Sequence, residues 1–139
     1  MNQTVEQLAS YWASASVFDT ATREEVAQLI KDKNSKELEE RFYRDLEFGT
    51  GGLRGIMGAG SARMNIYNVR RASGALAIYL CEVHGKSGLK VAISYDSRRR
   101  SREFAQATAE VMAGYGITAI LTKELRPVPM LSFMVRHYG

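Results

Sequence analysis

Residues 89–121 read LKVAISYDSRRRSREFAQATAEVMAGYGITAIL. The opening LKVAISYD is a run of apolar and β-branched residues ending at Asp96, and it predicts a strand. A polar turn, SRRRS, follows. Phe104, Thr108, Val111, Met112 and Tyr115 then recur at helical spacing, and Gly114 and Gly116 stop that helix. ITAIL predicts a second strand. Pro127 and Pro129 open a last helix with Met130, Phe133, Met134 and His137 on one side. Strand, helix, strand, helix predicts a parallel sheet with crossover helices. Such a unit usually runs on into another strand, so the ending at Gly139 predicts a domain cut short. A sheet edge left unpaired there invites a homodimer or strand exchange.

Upstream, Val69, Ala72, Leu76, Tyr79, Leu80 and Val83 form another helical stripe, stopped by Gly85. Before it comes GTGGLRGIMGAG, residues 49–60, which holds six of the chain's twelve glycines. No packed helix or strand needs that density, because each glycine raises the entropy cost of ordering the backbone. The first 48 residues predict three short helices. Thr4 with Gln7, Thr22 with Glu25 and Asn34 with Glu37 have capping-box spacing, each ahead of an apolar stripe. The expected fold class is α/β: a three-layer α/β/α arrangement with a mixed, mostly parallel sheet, preceded by an N-terminal helical extension. The expected boundaries are 1–47 for the extension and 48–139 for an incomplete α/β domain.

A chain of 139 residues suits one domain, and 45% apolar with 24% charged residues is a globular profile, not a disordered one. The net charge of +4 accommodates anionic small molecules as well as nucleic acid. A single cysteine, Cys81, excludes an internal disulfide, and its place in a helical stripe predicts a packed thiol. No apolar run approaches the roughly 20 residues needed to span a bilayer. The segment MNQTVEQLAS lacks the basic and apolar regions of a signal peptide. The expectation is a cytoplasmic protein with no membrane partner.

Two places could carry chemistry. In FGTGGLRG, residues 48–55, Gly49, Gly51, Gly52 and Gly55 would let backbone N–H groups approach an anion, with Arg54 adding a charged fork. A flexible structural turn explains the same glycines. The dinucleotide fingerprint fails because Arg54 stands at its third glycine position, and no glycine precedes a Lys-Ser or Lys-Thr pair. The second place is Tyr95-Asp96-Ser97-Arg98, at the carboxyl end of a strand and just before a helix, where open α/β sheets bind ligands. The competing reading has Asp96 or Ser101 capping the helix and the arginines solvated. His84 and His137 are isolated helix-end residues, and no G-x-S-x-G elbow is present.

FGTGGLRG at 48–55, SYDSRRRS at 94–101 and RPVPMLSFMV at 126–135, in that order and spacing, resemble the start of the α-D-phosphohexomutase superfamily, the phosphoglucomutases and phosphomannomutases. The long helical lead-in is similar to the branch with phosphoglucomutase and phosphopentomutase. The resemblance implies a four-domain parent enzyme that moves a phosphoryl group between the 1- and 6-positions of a hexose phosphate. It does so through a phosphoserine and a hexose bisphosphate, with Mg2+. The implied phosphate-binding residues are Thr50, Gly51, Gly52, Arg54, Asp96 and Arg98, with Arg54 supporting catalysis and Asp96 orienting Arg98. The family's serine loop, Thr-Ala-Ser-His-Asn-Pro or close to it, is absent from the 139 residues, as is its D-x-D-x-R metal run. The chain is therefore expected to hold no metal ligands of its own and to be inactive in isolation.

A stand-alone phosphate-binding or assembly module is the alternative. A nucleic-acid patch at 98–102 is disfavoured because no aromatics interleave the arginines. Neutralising Arg98, Arg99, Arg100 and Arg102 together should leave retention on a nucleic-acid column unchanged. Salt-sensitive retention that disappears in that variant would restore the nucleic-acid reading.

Overall fold

Asp19 and Asn34 decide where two of the N-terminal helices begin. Asp19 accepts the Thr22 N–H at 2.8 Å and caps α2, Thr20–Lys31. Asn34 accepts the Glu37 N–H at 3.3 Å and caps α3, Ser35–Phe42. The expected cap at Thr22 is thus displaced by three residues: its hydroxyl bonds to Asp19 instead. The computed structural model describes residues 3–49, 52–85 and 87–138. Its other elements are α1 (Gln3–Ser14), the strands β1 (Phe48–Gly49) and β2 (Gly52–Leu53), then α4 (Ile66–His84), β3 (Lys90–Ile93), α5 (Ser101–Gly114), β4 (Thr118–Leu121) and α6 (Val128–Tyr138). They divide into two compact units, one through Asn68 and one from Val69.

The first unit is built on the apolar faces of α1, α2 and α3. Val5, Ala9, Trp12, Phe18, Val26, Leu38 and Phe42 are buried together. The Trp12 and Phe18 rings stack at 4.2 Å, with Phe42 and Tyr67 edge-on to Trp12. Tyr67 donates its hydroxyl to Asp19 Oδ2 at 2.6 Å and accepts the Asp19 N–H at 2.7 Å. The glycine-rich stretch is bound into this unit through Arg41, which bridges Glu25 and Glu37 and donates to Ala59 O at 3.1 Å. Arg63, buried, joins Glu37 at 3.1 Å. Asn68 Nδ2 donates to the carbonyls of Gly60, Ser61 and Arg63, and Asn65 Nδ2 donates to Gly58 and Gly60. A loop with so many backbone carbonyls turned inward needs these amide donors.

Those contacts explain two of the six glycines in the cluster. A Cβ on Gly60, which has φ +128°, would stand 2.7 Å from Arg41 O, and one on Gly58 would stand 3.3 Å from the Arg41 guanidinium. Gly58 and Gly60 therefore serve close approach to the chain's own helix, where density alone had left a ligand or a structural turn open.

The second unit carries the parallel ladder. β3 pairs with β4 in the register Lys90↔Thr118 through Ile93↔Leu121. Val91, Ile93 and Tyr95 share a face by the two-residue period. That face meets α5 through Ala105 and Ala109, while Ala77 of α4 and Met112 of α5 close a neighbouring cluster around Ile117. Helix α6 lies against β3, with Met134 buried and Lys90 Nζ donating to Tyr138 O. The architecture is α/β, as the sequence predicts, with helices layered on parallel strands. The mixed pairing occurs in separate ladders among the described residues: β1 with β2 antiparallel, β3 with β4 parallel. No helix among the described residues is long and apolar enough to cross a membrane.

Gly60→Ala should lower the stability of the chain by about 2–4 kcal/mol, from a strained φ plus a backbone clash, as read by urea unfolding. Acid should act through Asp19. The Tyr67 hydroxyl, then the Thr22 N–H, hold its carboxyl below the usual 3.8. A depressed carboxylate contributes stability above its unfolded pKa, and that contribution is lost as pH falls through the lower native value. Unfolding followed from pH 5 downward should therefore show a shallower acid loss in Tyr67→Phe than in the parent chain.

Candidate functional site

The two loops leaving the carboxyl end of the parallel ladder are stitched together. Thr122 N–H donates to Ile93 O at 3.0 Å and Arg126 N–H to Tyr95 O at 3.4 Å. The buried Tyr95 sends its hydroxyl across to Lys123 O at 2.9 Å. Between the loops and the start of α5 lies an open cleft of about 790 Å³, lined by residues 95–98, 100–103 and 123–125. This is the edge at which parallel sheets bind ligands.

Asp96 and Arg98 face that cleft as a pair. Asp96 Oδ1 accepts the Arg98 N–H at 3.1 Å, and Oδ2 accepts Arg98 Nε at 2.8 Å. The backbone N–H of Arg98 is the main cause holding the Asp96 carboxyl below its ordinary range, with smaller contributions from the Ser101 and Arg98 side chains. The carboxylate therefore stays ionised and fixes the guanidinium stem by its Nε edge. The rest of the Arg98 side chain, 83% exposed, remains turned to solvent. That geometry suits an arginine presented to an anion.

The helix cap expected from Asp96 or Ser101 is not made. The residue before α5 is Arg100, in the left-handed region at φ 63°, with no side-chain hydrogen bond to the helix start. Ser101 Oγ instead accepts the Asp96 N–H at 3.3 Å.

The glycine loop belongs to the first unit. Gly49 pairs with Gly52 and Phe48 with Leu53 in a short hairpin. Gly52 has φ +89° with open space where a Cβ would be, so its glycine serves backbone conformation alone. Arg54 follows, exposed. Thr50 and Gly51 lie outside the described residues. The structure thus brings Asp96 and Arg98 together within the second unit, and Arg54 and Gly52 lie within the first. Among the described residues no group of three or more His, Cys, Asp or Glu side chains could hold a metal ion. Sequence reasoning missed Tyr95 as the tie between the loops and Lys123 as a wall of the cleft. The available signal was that Lys123 follows the second strand by two residues, at the same sheet edge as Asp96.

The family described as phosphoglucomutase/phosphomannomutase, alpha/beta/alpha domain I, matches residues 45–139. The chain belongs to that family. A phosphoglucomutase of Staphylococcus saprophyticus is 41% identical over 113 residues, covering 78% of this chain and 20% of the relative. A probable phosphoribomutase of Schizosaccharomyces pombe is 36% identical over 140 residues, covering all of this chain and 24% of the relative. The chain thus spans about a fifth to a quarter of the length of these curated relatives. No solved structure matches.

Among the described residues of 45–139, two buried side-chain atoms have no hydrogen-bond partner, Arg63 Nε and Thr122 Oγ1. Thr122→Val should therefore be neutral or stabilising by up to about 1 kcal/mol in thermal unfolding, since it removes a desolvated hydroxyl at nearly constant shape.

Proposed function

We propose that the chain is the leading part of a sugar-phosphate mutase that moves a phosphoryl group between the 1- and 6-positions of a hexose phosphate. The observation that carries this reading is the family match over 45–139, joined to relatives named as mutases. The geometry supports it at the ladder's carboxyl edge, where an ionised Asp96 presents Arg98 beside an open cleft. In this reading a phosphoserine outside these 139 residues donates to the sugar phosphate. A hexose bisphosphate then turns over and returns a phosphoryl group from its other end.

The chain's own residues bind and orient. The glycine hairpin and Arg54 approach a phosphate, and Arg98, held by Asp96, offers its exposed guanidinium to a second position of negative charge. Such chemistry depends on positioning and charge neutralisation. Mg2+ is the proposed cofactor of the parent enzyme. The described residues offer no cluster to hold it, so no step here is assigned to it. Because the serine loop is absent from these residues, the chain alone is proposed to be inactive and to keep one wall of the active cleft.

A pentose phosphate is the second reading. It is favoured by the fission-yeast relative, named a probable phosphoribomutase, whose similarity extends over the whole chain including the helical lead-in. Turnover of glucose 1-phosphate against ribose 1-phosphate by the full-length parent separates the two. In the same assay Arg54→Ala should lower kcat/KM about tenfold or more, the scale of one charge-assisted contact. An unchanged rate removes Arg54 from the mechanism.

A further inference from the structure

The charges around the cleft do not balance, and the imbalance is local. Each carboxylate lining it is already engaged. Asp96 holds Arg98 at 2.8 Å, Glu103 holds Arg100 at 2.5 Å, and Glu124 holds Arg126 at 3.2 Å. Arg102 and Lys123 line the same cleft, one from the start of α5 and the other from the loop after β4. Neither side chain makes an ion pair or hydrogen bond among the described residues. Two cations left without counter-charges in the lining of one cleft create a local potential that draws an anion.

The surroundings favour one class of anion. The cleft, at about 790 Å³, has the size of a small-molecule site, where a lone ion would leave most of it empty. Lys123 is a point charge on a flexible stem, and Arg102 is a planar fork. The combination suits a tetrahedral group with several equivalent oxygens. The uncapped first turn of α5 adds backbone N–H groups to the same wall. The loop that carries Lys123 is fixed by the Tyr95 hydroxyl on Lys123 O, so its position is set before any ligand arrives.

We propose that Lys123 and Arg102 form a subsite that binds the phosphoryl group of a phosphate monoester, beside Asp96 and Arg98 and distinct from the Arg54 loop. The assignment of a sugar phosphate as the monoester rests on the mutase reading above. The charge and cleft argument for a phosphoryl group does not.

The test is an NMR titration of the ¹⁵N-labelled 139-residue chain with glucose 6-phosphate, inorganic phosphate and glucose in separate arms. Both phosphate probes should shift the amides of residues 95–103 and 123–125, and glucose should not. Tighter binding of glucose 6-phosphate than of inorganic phosphate supports a subsite that takes the whole monoester. Equal affinity supports one that reads the phosphoryl group alone. Lys123→Gln and Arg102→Gln should each weaken phosphate binding about threefold or more, and the double variant about tenfold or more, while Lys123→Arg retains it. Matching spectra away from the cleft confirm that the variants are folded. The subsite is overturned if no shifts occur, if they fall only on 48–55, or if the double variant binds as tightly as the parent chain. Those outcomes leave the mutase reading standing. Absence of mutase turnover in the full-length parent overturns that reading instead, and leaves phosphate shifts at Lys123 and Arg102 intact.

Discussion

Parallel pairing of two strands imposes a constraint that a hairpin does not. The chain must leave one strand, cross the sheet and return to the same end before the second can start. Here α5 makes that crossing between Ile93 and Thr118, and the register sets Ile93 level with Leu121. Three features consequently meet at one edge: the loop after β3, the start of α5 and the loop after β4. The cleft, the Asp96–Arg98 pair and the cations at 102 and 123 all follow from that pairing. Val91 and Ile93 hold it by packing on Ala105 and Ala109 of the crossing helix.

The first unit is governed by a different problem. Residues 58–65 run tightly against α3, and their carbonyls need donors that regular structure does not supply. Asn65, Asn68 and Arg41 provide them, and Glu37 ties Arg41 and Arg63 together. Hydrogen bonding to Arg41 is the main cause holding the Glu37 carboxyl below its usual range. This polar network ties the loop to α3, with the buried Arg63 Nε its one atom left without a partner among the described residues.

The strand–helix–strand–helix order was legible because period-two and period-3.6 patterns alternate cleanly between Leu89 and Tyr138. The Asp96–Arg98 contact was legible only through the family resemblance, which implied that Asp96 orients Arg98; the residues alone left a helix cap with solvated arginines open. The glycine cluster was only half legible. Gly52 does serve a positive φ in an open hairpin, whereas Gly58 and Gly60 are demanded by Arg41, seventeen or more residues away in sequence. Composition reports that glycine is needed but not what approaches it. The caps were similarly obscured: Asp19 outcompetes Thr22 because its carboxylate also receives the Tyr67 hydroxyl, a contact spanning 48 residues. Lys123 carried no motif at all. It gains meaning only when the carboxylates around it are seen to be taken.

The stacking of Trp12 on Phe18 has an optical consequence. Trp12 is the chain's one tryptophan, it is buried at 5% exposure, and it lies wholly within the first unit's core. The second unit emits only through tyrosines, among them Tyr79, Tyr95, Tyr115 and Tyr138. Light absorbed at the red edge of the protein spectrum is therefore captured by one half of the molecule. Fluorescence excited there follows the helical unit and the anchored glycine loop, and is blind to the parallel ladder except where the two units melt together.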